Sequence, residues 1–312
     1  MYYPYLRGRQ NELLALRTFA ELLEGDSFVF PIIEPVKENN NALKRSVYTL
    51  SEHNMHCGIV MNPQVGENEG KIIDLDNDDF FVKRESWFAV FILNSHNSKQ
   101  IESIIHEKKY EGVLIVIPGS QVVDEDVVNE LLSLPSVDSV VVDPSRFDII
   151  DLGLKHNKKV VEFEEKFRAR PAGKDYLHLD EEEFSQSFAS YKRQGFSGFG
   201  DYTVIANEYR VGGSLPRVLV MHLTYKKSAY KIYIKHFCSH SNQEDGSNVQ
   251  GKFEEAALEA LSFFGSINYT GSGISMINEY IEKRAFPGLG VLKKISILHH
   301  IELVQRVLAE EL

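Results

Sequence analysis

In the stretch VVEFEEKFRARPAGKDY, residues 160–176, an apolar run passes into two carboxylates and then a run of bases. Alternate residues of an extended strand share a face. Glu162, Glu164, Lys166, Arg168 and Arg170 therefore fall on one side, and Val161, Phe163, Glu165, Phe167 and Ala169 on the other. The second side suits packing beneath helices. The first carries too much charge for a core unless the charges pair or meet an ionic ligand. Two settings satisfy it: a strand lining a polar mouth, and an edge strand with one face in water. In the mouth setting, Lys166, Arg168 and Arg170 hold an anionic group, the arginines by a planar fork. Glu162 or Glu164 is then the candidate general base.

The elements that would carry such a mouth are legible in order. Short apolar runs alternate with longer helical patterns: YYPYL, FVFPIIEPV, HCGIVMNP, SWFAVFIL, GVLIVIPGS, DSVVVDPS and KVVEFEEKF are seven expected strands. Five of them are nearly continuous apolar runs, as in strands buried on both faces of a parallel sheet. Between them lie amphipathic stretches such as ELLALRTFAELLEG, with Leu13, Leu16, Phe19, Ala20 and Leu23 in a stripe. Right-handed strand–helix repeats give an open doubly wound sheet or a closed barrel. No GxGxxG follows the first strand, so a dinucleotide half is not indicated. The reading is a TIM-barrel-like α/β fold, with an eighth strand from YTVIA or VLVMHLTY.

The regularity breaks twice. Residues 64–86 form an acidic insertion after strand three, with room for a small hairpin. After residue 195 the pattern turns antiparallel. VLVMHLTY and YKIYIKHF flank a hairpin-length loop, KKSA, and helices close the chain, the last with Ile297, Ile301, Val304 and Leu308 in a stripe. Without a repeat or linker, residues 1–312 read as one domain with an irregular part over 205–312.

Parallel α/β folds bind ligands beyond the carboxyl ends of their strands. The residues there are Arg7, Glu34, Asn62, Asn94, Ser120 and Asp143. The bland reading of each is a polar loop residue. HFCSH, 236–240, sets His236, Cys238 and His240 on one strand face, but the outer two are too far apart for one ion and no fourth ligand is evident, so no metal is assigned. YTGSGIS, 269–275, reads as a turn before a helix, and His299 and His300 as partly exposed helix residues. The 269–275 loop lacks the lysine of a P-loop, and the cofactor is left unassigned.

Net charge is −11, from 45 acidic and 34 basic residues, which weakens non-specific attraction to phosphate backbones. A local basic patch of Lys158, Lys159, Lys166, Arg168 and Arg170 keeps nucleic acid open as a partner. Two cysteines, no apolar leader and no run of membrane-spanning length point to a reducing, cytoplasmic setting without a membrane partner.

Three stretches carry a family resemblance: PYLRGRQNELLALR with PIIEPV after it, GFGDYTV at 198–204, and HLTYKKSAYKIYIKHFCS at 222–239. Their order resembles the Beta protein family of phage and bacterial proteins, and more closely a small bacterial family of about this length named after a myxobacterial locus. The matching positions are Arg7, Glu12, Glu34, Gly200, Asp201, Tyr202, Tyr225, Lys235 and His236. The Beta pattern has an arginine before the T-Y pair and another near the strand end. This chain has His222 and Lys235 there, and neither makes the arginine's planar fork.

The resemblance implies a phage-defence-associated binding or sensing component that acts with a neighbouring defence protein. The alternative is a hydrolase-type enzyme acting on a phosphate-bearing small molecule or nucleic acid at the barrel mouth. Its catalytic groups would be Glu34, Glu162 and Asp201. Arg7, Asn62, Asn94, Asp143, Glu164, Lys166, Arg168, Tyr202, His222 and Lys235 would hold an anionic ligand. Convergence of Glu34, Asp143, Glu162 and Arg168 on one pocket is what the enzyme requires.

Overall fold

A computed structural model describes residues 1–76, 78–210, 212, 215–241 and 243–310. Asn77 of the expected insertion, and Val211, Gly213, Ser214, Asn242, Glu311 and Leu312 of the C-terminal part, lie outside the described residues. The elements begin β1 (Tyr2–Leu6), α1 (Gln10–Leu22), β2 (Ile32–Ile33), α2 (Asn41–Glu52), β3 (Cys57–Val60) and α3 (Asp79–Val82). They continue as β4 (Trp87–Ile92), α4 (Ser98–Lys108), β5 (Val113–Ile117), α5 (Glu125–Ser133), β6 (Val137–Val142), α6 (Phe147–Lys155) and β7 (Lys159–Phe163). Then follow β8 (Glu181–Ser185), α7 (Ser187–Ser190), β9 (Gly198–Asp201), β10 (Val220–Ser228), β11 (Lys231–Cys238), α8 (Val249–Ser266), α9 (Ser272–Glu282) and α10 (Leu289–Glu310).

Strands β1 to β7 and β9 pair in parallel around a closed eight-stranded barrel, in the order β1-β2-β3-β4-β5-β6-β7-β9. The eighth strand is thus GFGD, not YTVIA or VLVMHLTY. The latter lies in a separate three-stranded antiparallel sheet, β10-β11-β8. The 64–86 stretch is the β3–β4 connection. It holds a single 3-10 turn and the short α3, and no strand among its described residues.

The chain forms two compact units: residues 1–13, 20–164 and 190–201, and residues 14–19, 165–189 and 202–312. The expected span of one domain, 1–312, therefore covers both.

Register decides which side chains enter the barrel. Val140 and Val160 lie under Gly153 of α6, where an added Cβ would come within 2.7 Å of Val160. Trp87 and Phe91 meet Tyr110, just past α4. These residues therefore face the helices. Bridge partners in a parallel ladder point the same way, and i, i+2 residues share a face. Tracing the pairs round the ring puts Tyr3, Tyr5, Ile32, Gly58, Val60, Phe88, Val90, Val116, Val161, Phe163, Gly198 and Gly200 inside. Rings fill the space over inward glycines: Phe88 over Gly58, Tyr3 over Gly198 and Phe163 over Gly200, each within 2.8 Å of a hypothetical Cβ. The barrel is a packed core.

In the second unit, alternate residues of β10 and β11 (Met221, Leu223, Tyr225 and Phe237) join Phe253, Ala256, Ala260 and Phe264 of α8 and Ile295 of α10 in one apolar cluster. β10 is an edge strand, and α10 covers it. His299 Nε2 donates to Thr224 O at 2.6 Å, satisfying a carbonyl that the sheet leaves over. His300 Nδ1 lies 3.0 Å from Thr224 Oγ1. Both histidines are buried, against the expectation of partial exposure, because α10 lies on the sheet edge instead of presenting that face to water. The first residue of α9 meets a carboxylate of the chain itself: Ser272 N–H donates to Glu302 at 2.8 Å.

Candidate functional site

The carboxyl ends of β1 and β2 bring the most connected polar group of the barrel together. Tyr5 and Arg7 continue the inward row of β1, and Glu34 follows β2 directly. One Glu34 oxygen accepts from Tyr5 Oη at 2.9 Å, and the other from Gln64 N–H at 2.6 Å. Arg7 Nε lies 3.8 Å from the Tyr5-bound oxygen. Arg7 and Glu34 are both buried. Glu12, from the first turn of α1, accepts the Arg7 backbone N–H at 2.6 Å and fixes the turn that carries the guanidinium. Gly8 completes that turn at φ +55°, and a Cβ there would lie 2.9 Å from Glu34 O. Only glycine suits both the conformation and the approach.

Three other strand-end residues, Asn62, Asn94 and Asp143, bond to main-chain groups near them. Asn62 donates to Ile92 O and accepts from Ile92 N–H, both at 2.8 Å, so its amide extends the β3–β4 ladder by one rung. Asn94 Oδ1 accepts from His96 N–H at 2.9 Å. Asp143 Oδ1 accepts from Ser145 N–H at 2.9 Å and from its hydroxyl at 2.5 Å, an Asx turn. Ser120 is exposed.

Glu162 and Asp201 are directed otherwise. Glu162 pairs in register with Val142 and Phe199, and Phe199 with Tyr2, all in the row that faces away from the barrel axis. Asp201 accepts from Tyr2 Oη at 2.7 Å, and both are buried. Burial, then the neighbouring carboxylate, pushes the Tyr2 phenol well above its usual range. Glu34 thus points into the barrel mouth, while Glu162 and Asp201 lie on the helix-facing side of the same wall.

The 160–176 stretch stops being a strand at Phe163, so its alternation ends there. Glu164 is half-buried, and its N–H reaches Gly200 O at 3.3 Å. The rest belongs to the second unit. Lys166 is half-buried, Arg168 exposed, and Arg170 pairs with Glu182 at 3.3 Å. Lys158, in the barrel unit, donates to Leu134 O and Val137 O, and Lys159 pairs with Asp138. Tyr202 is half-buried.

His222 and Lys235 stand on β10 and β11 of the second unit. His222 faces His236 across the ladder, with Nδ1 to Nδ1 at 2.9 Å, and His236 Nε2 lies 3.4 Å from Glu182. Tyr176 packs against both imidazoles and Phe167 against His222. Burial first, then His236, pulls the His222 imidazolium down to about 3. Burial also lowers His236, against the opposing pull of Glu182. Lys235 pairs with Asp180 and lies 5.3 Å from the Phe263 ring centre.

Sequence reasoning did not single out Tyr5, Gln64, Tyr176 or Glu182. Tyr5 had a signal, since it precedes Arg7 by two residues on the same strand face. The other three come from loops or a run of glutamates, where spacing carries no directional information. Among the described residues no group of three or more histidine, cysteine, aspartate or glutamate side chains is placed to hold a metal ion. Nor is any described helix long and apolar enough to cross a membrane.

No family model and no curated protein matches the chain. It is similar to a solved citrate synthase, SbnG, at 10% identity over 64% of this chain and 85% of that one, with a TM-score of 0.39. An HpcH/HpaI aldolase from Desulfitobacterium hafniense DCB-2 aligns at 8% identity over 64% and 85%, TM-score 0.39. A FabK mutant from Thermotoga maritima aligns at 11% over 99% and 92%, TM-score 0.40. The fold class follows from the chain's own closed parallel strand order.

Proposed function

We propose that this chain is a binding or sensing component that acts with a partner protein in bacterial defence against phage, and not a hydrolase. The defence setting and the partner are carried by the resemblance to the Beta protein family. The non-catalytic role is supported by one observation: the candidate acids divide between two sides of the barrel wall. Glu34 is inward and committed to Tyr5, Gln64 and Arg7, while Glu162 and Asp201 share the outward side. Hydrolysis of a phosphate ester needs its acid, base and anion clamp around one reacting centre.

The test is turnover. The full chain is incubated with p-nitrophenyl phosphate mono- and diesters, nucleotides, DNA and RNA, beside Glu34→Gln and Asp201→Asn variants. The reading expects no turnover above buffer, and expects phage protection in the native host to require both the chain and its neighbour. Turnover by the wild-type chain that Glu34→Gln abolishes would replace it with the enzyme reading.

A further inference from the structure

The reading above requires a surface for a partner, and the barrel unit offers one where the β5–α5 and β6–α6 connections meet. Val122 is 87% exposed and Phe147 72% exposed. Each follows one member of a hydrogen-bonded pair: Arg146 donates to Gln121 O at 3.2 Å, so the two loops are pinned side by side. Phe147 opens α6, and Ile150 and Leu154 follow at the i+3 and i+7 positions of the same helix, half-buried and 51% exposed. An isolated exposed apolar side chain is ordinary. Here a valine and a phenylalanine flank the same pinned pair, and a helix stripe leads on from the phenylalanine.

The surroundings are mainly acidic. Asp124, Glu125 and Asp126 crowd the start of α5 and are exposed, as is Asp151 on α6. Asp143 and Asp148 are half-buried. The basic group inside the patch, Arg146, is held by Asp148 at 2.8 Å, and Asp143 and Glu125 act on it as well. At the far end of α6 two lysines keep their charge, Lys155 donating to Asn129 Oδ1 at 3.1 Å and Lys158 to two main-chain carbonyls, so the acidic excess lies at the Val122–Phe147 end of the strip. An apolar strip rimmed by carboxylates is complementary to a segment with an apolar anchor between basic residues. It repels nucleic acid.

Resting on the binding-component reading and deepening it, we infer that Val122, Phe147 and Leu154 form the docking strip for a lysine- or arginine-rich amphipathic segment of a partner protein.

The probe is a labelled amphipathic leucine–lysine peptide, with a leucine–glutamate peptide of the same pattern as control, followed by fluorescence anisotropy with the full chain. The leucine–lysine peptide is expected to bind, to weaken with added salt, and to bind Phe147→Ser and Val122→Ser variants about tenfold or more less tightly, as loss of an apolar anchor implies. Both residues are exposed, so the variants keep the fold. A photo-reactive group on a peptide leucine should label residues within 121–154 of the wild-type chain. The inference is overturned if the acidic peptide binds equally well, if the serine variants bind as tightly as wild type, or if labelling falls elsewhere. It is also overturned if the chain alone sediments as a dimer that Phe147→Ser dissolves, which would give the strip to a second copy. Failure here leaves the turnover and phage-protection assays, which test the parent reading, with their own outcomes.

Discussion

His299 offers a measurable handle on the second unit. Its ring packs 5.1 Å from Phe264 and 5.3 Å from Tyr269, centre to centre, and its Nε2–H donates to the edge carbonyl of Thr224. Burial is the largest influence on its pKa and pulls it down to about 4; His300 and Arg306 act in the same direction, and the Thr224 bond opposes them. In the unfolded chain the imidazole titrates near about 6.5. The folded form therefore binds fewer protons than the unfolded form between those values. The contribution is fully present above about pH 6.5 and is lost as pH falls toward 4. One pKa unit corresponds to about 1.4 kcal/mol, so acidification from about pH 7 to about pH 5 should remove about 2 kcal/mol through this one group. Glutamine can keep a donor toward Thr224 O but cannot titrate. The assay is urea unfolding followed by far-ultraviolet circular dichroism, for wild type and His299→Gln at both pH values. The variant should be less stable at pH 7, through lost ring packing, yet its loss between the two pH values should be smaller than that of wild type by about 2 kcal/mol. Parallel losses in the two proteins would refute the assignment of a buried neutral imidazole. His222 and His236, also lowered by burial, supply acid sensitivity of the same sign that survives in the variant.

Tyr5→Phe should destabilise the barrel by about 1–3 kcal/mol in the same unfolding assay, because it removes a donor from a buried carboxylate. Combined with Glu34→Gln its effect should be non-additive, and strict additivity would deny the contact. Gly200→Ala should cost at least about 1–3 kcal/mol and lower the thermal midpoint, since its Cβ would lie 2.5 Å from Tyr3 O and 2.8 Å from the Phe163 ring. A soluble variant with an unchanged melting curve would contradict the inward placement of Phe163 over that glycine. Inactivity toward phosphate esters in the wild-type chain, and salt-sensitive binding of the basic peptide at Phe147, complete the set.

The chain's order of short apolar runs and amphipathic helices was sufficient for a parallel α/β sheet, because strands covered on both faces are apolar throughout and each is followed by a covering helix; closure of that sheet into a barrel was a choice between two arrangements that the pattern shares. The β10–β11 hairpin was legible from its two alternating runs, but its turn was not: β10 runs on through Ser228 and the turn falls at Ala229 and Tyr230, not at KKSA. The eighth barrel strand was not. GFGD is four residues long and half glycine, so its local preference is weak, and closure of the ring between β1 and β7 makes it a strand.

The candidate site divides in the same way. That Arg7, Glu34, Asn62 and Asp143 end strands, and that Glu162 shares a face with residues two away, could be read from the residues alone. Alternation relates neighbours along one strand but does not say which side of the wall is the inside. That choice is made by pairing around the whole ring, which turned Tyr5, Arg7 and Glu34 inward and set Glu162 in the outward row; in the separate antiparallel sheet, strand order β10-β11-β8 set His236 between His222 and Glu182.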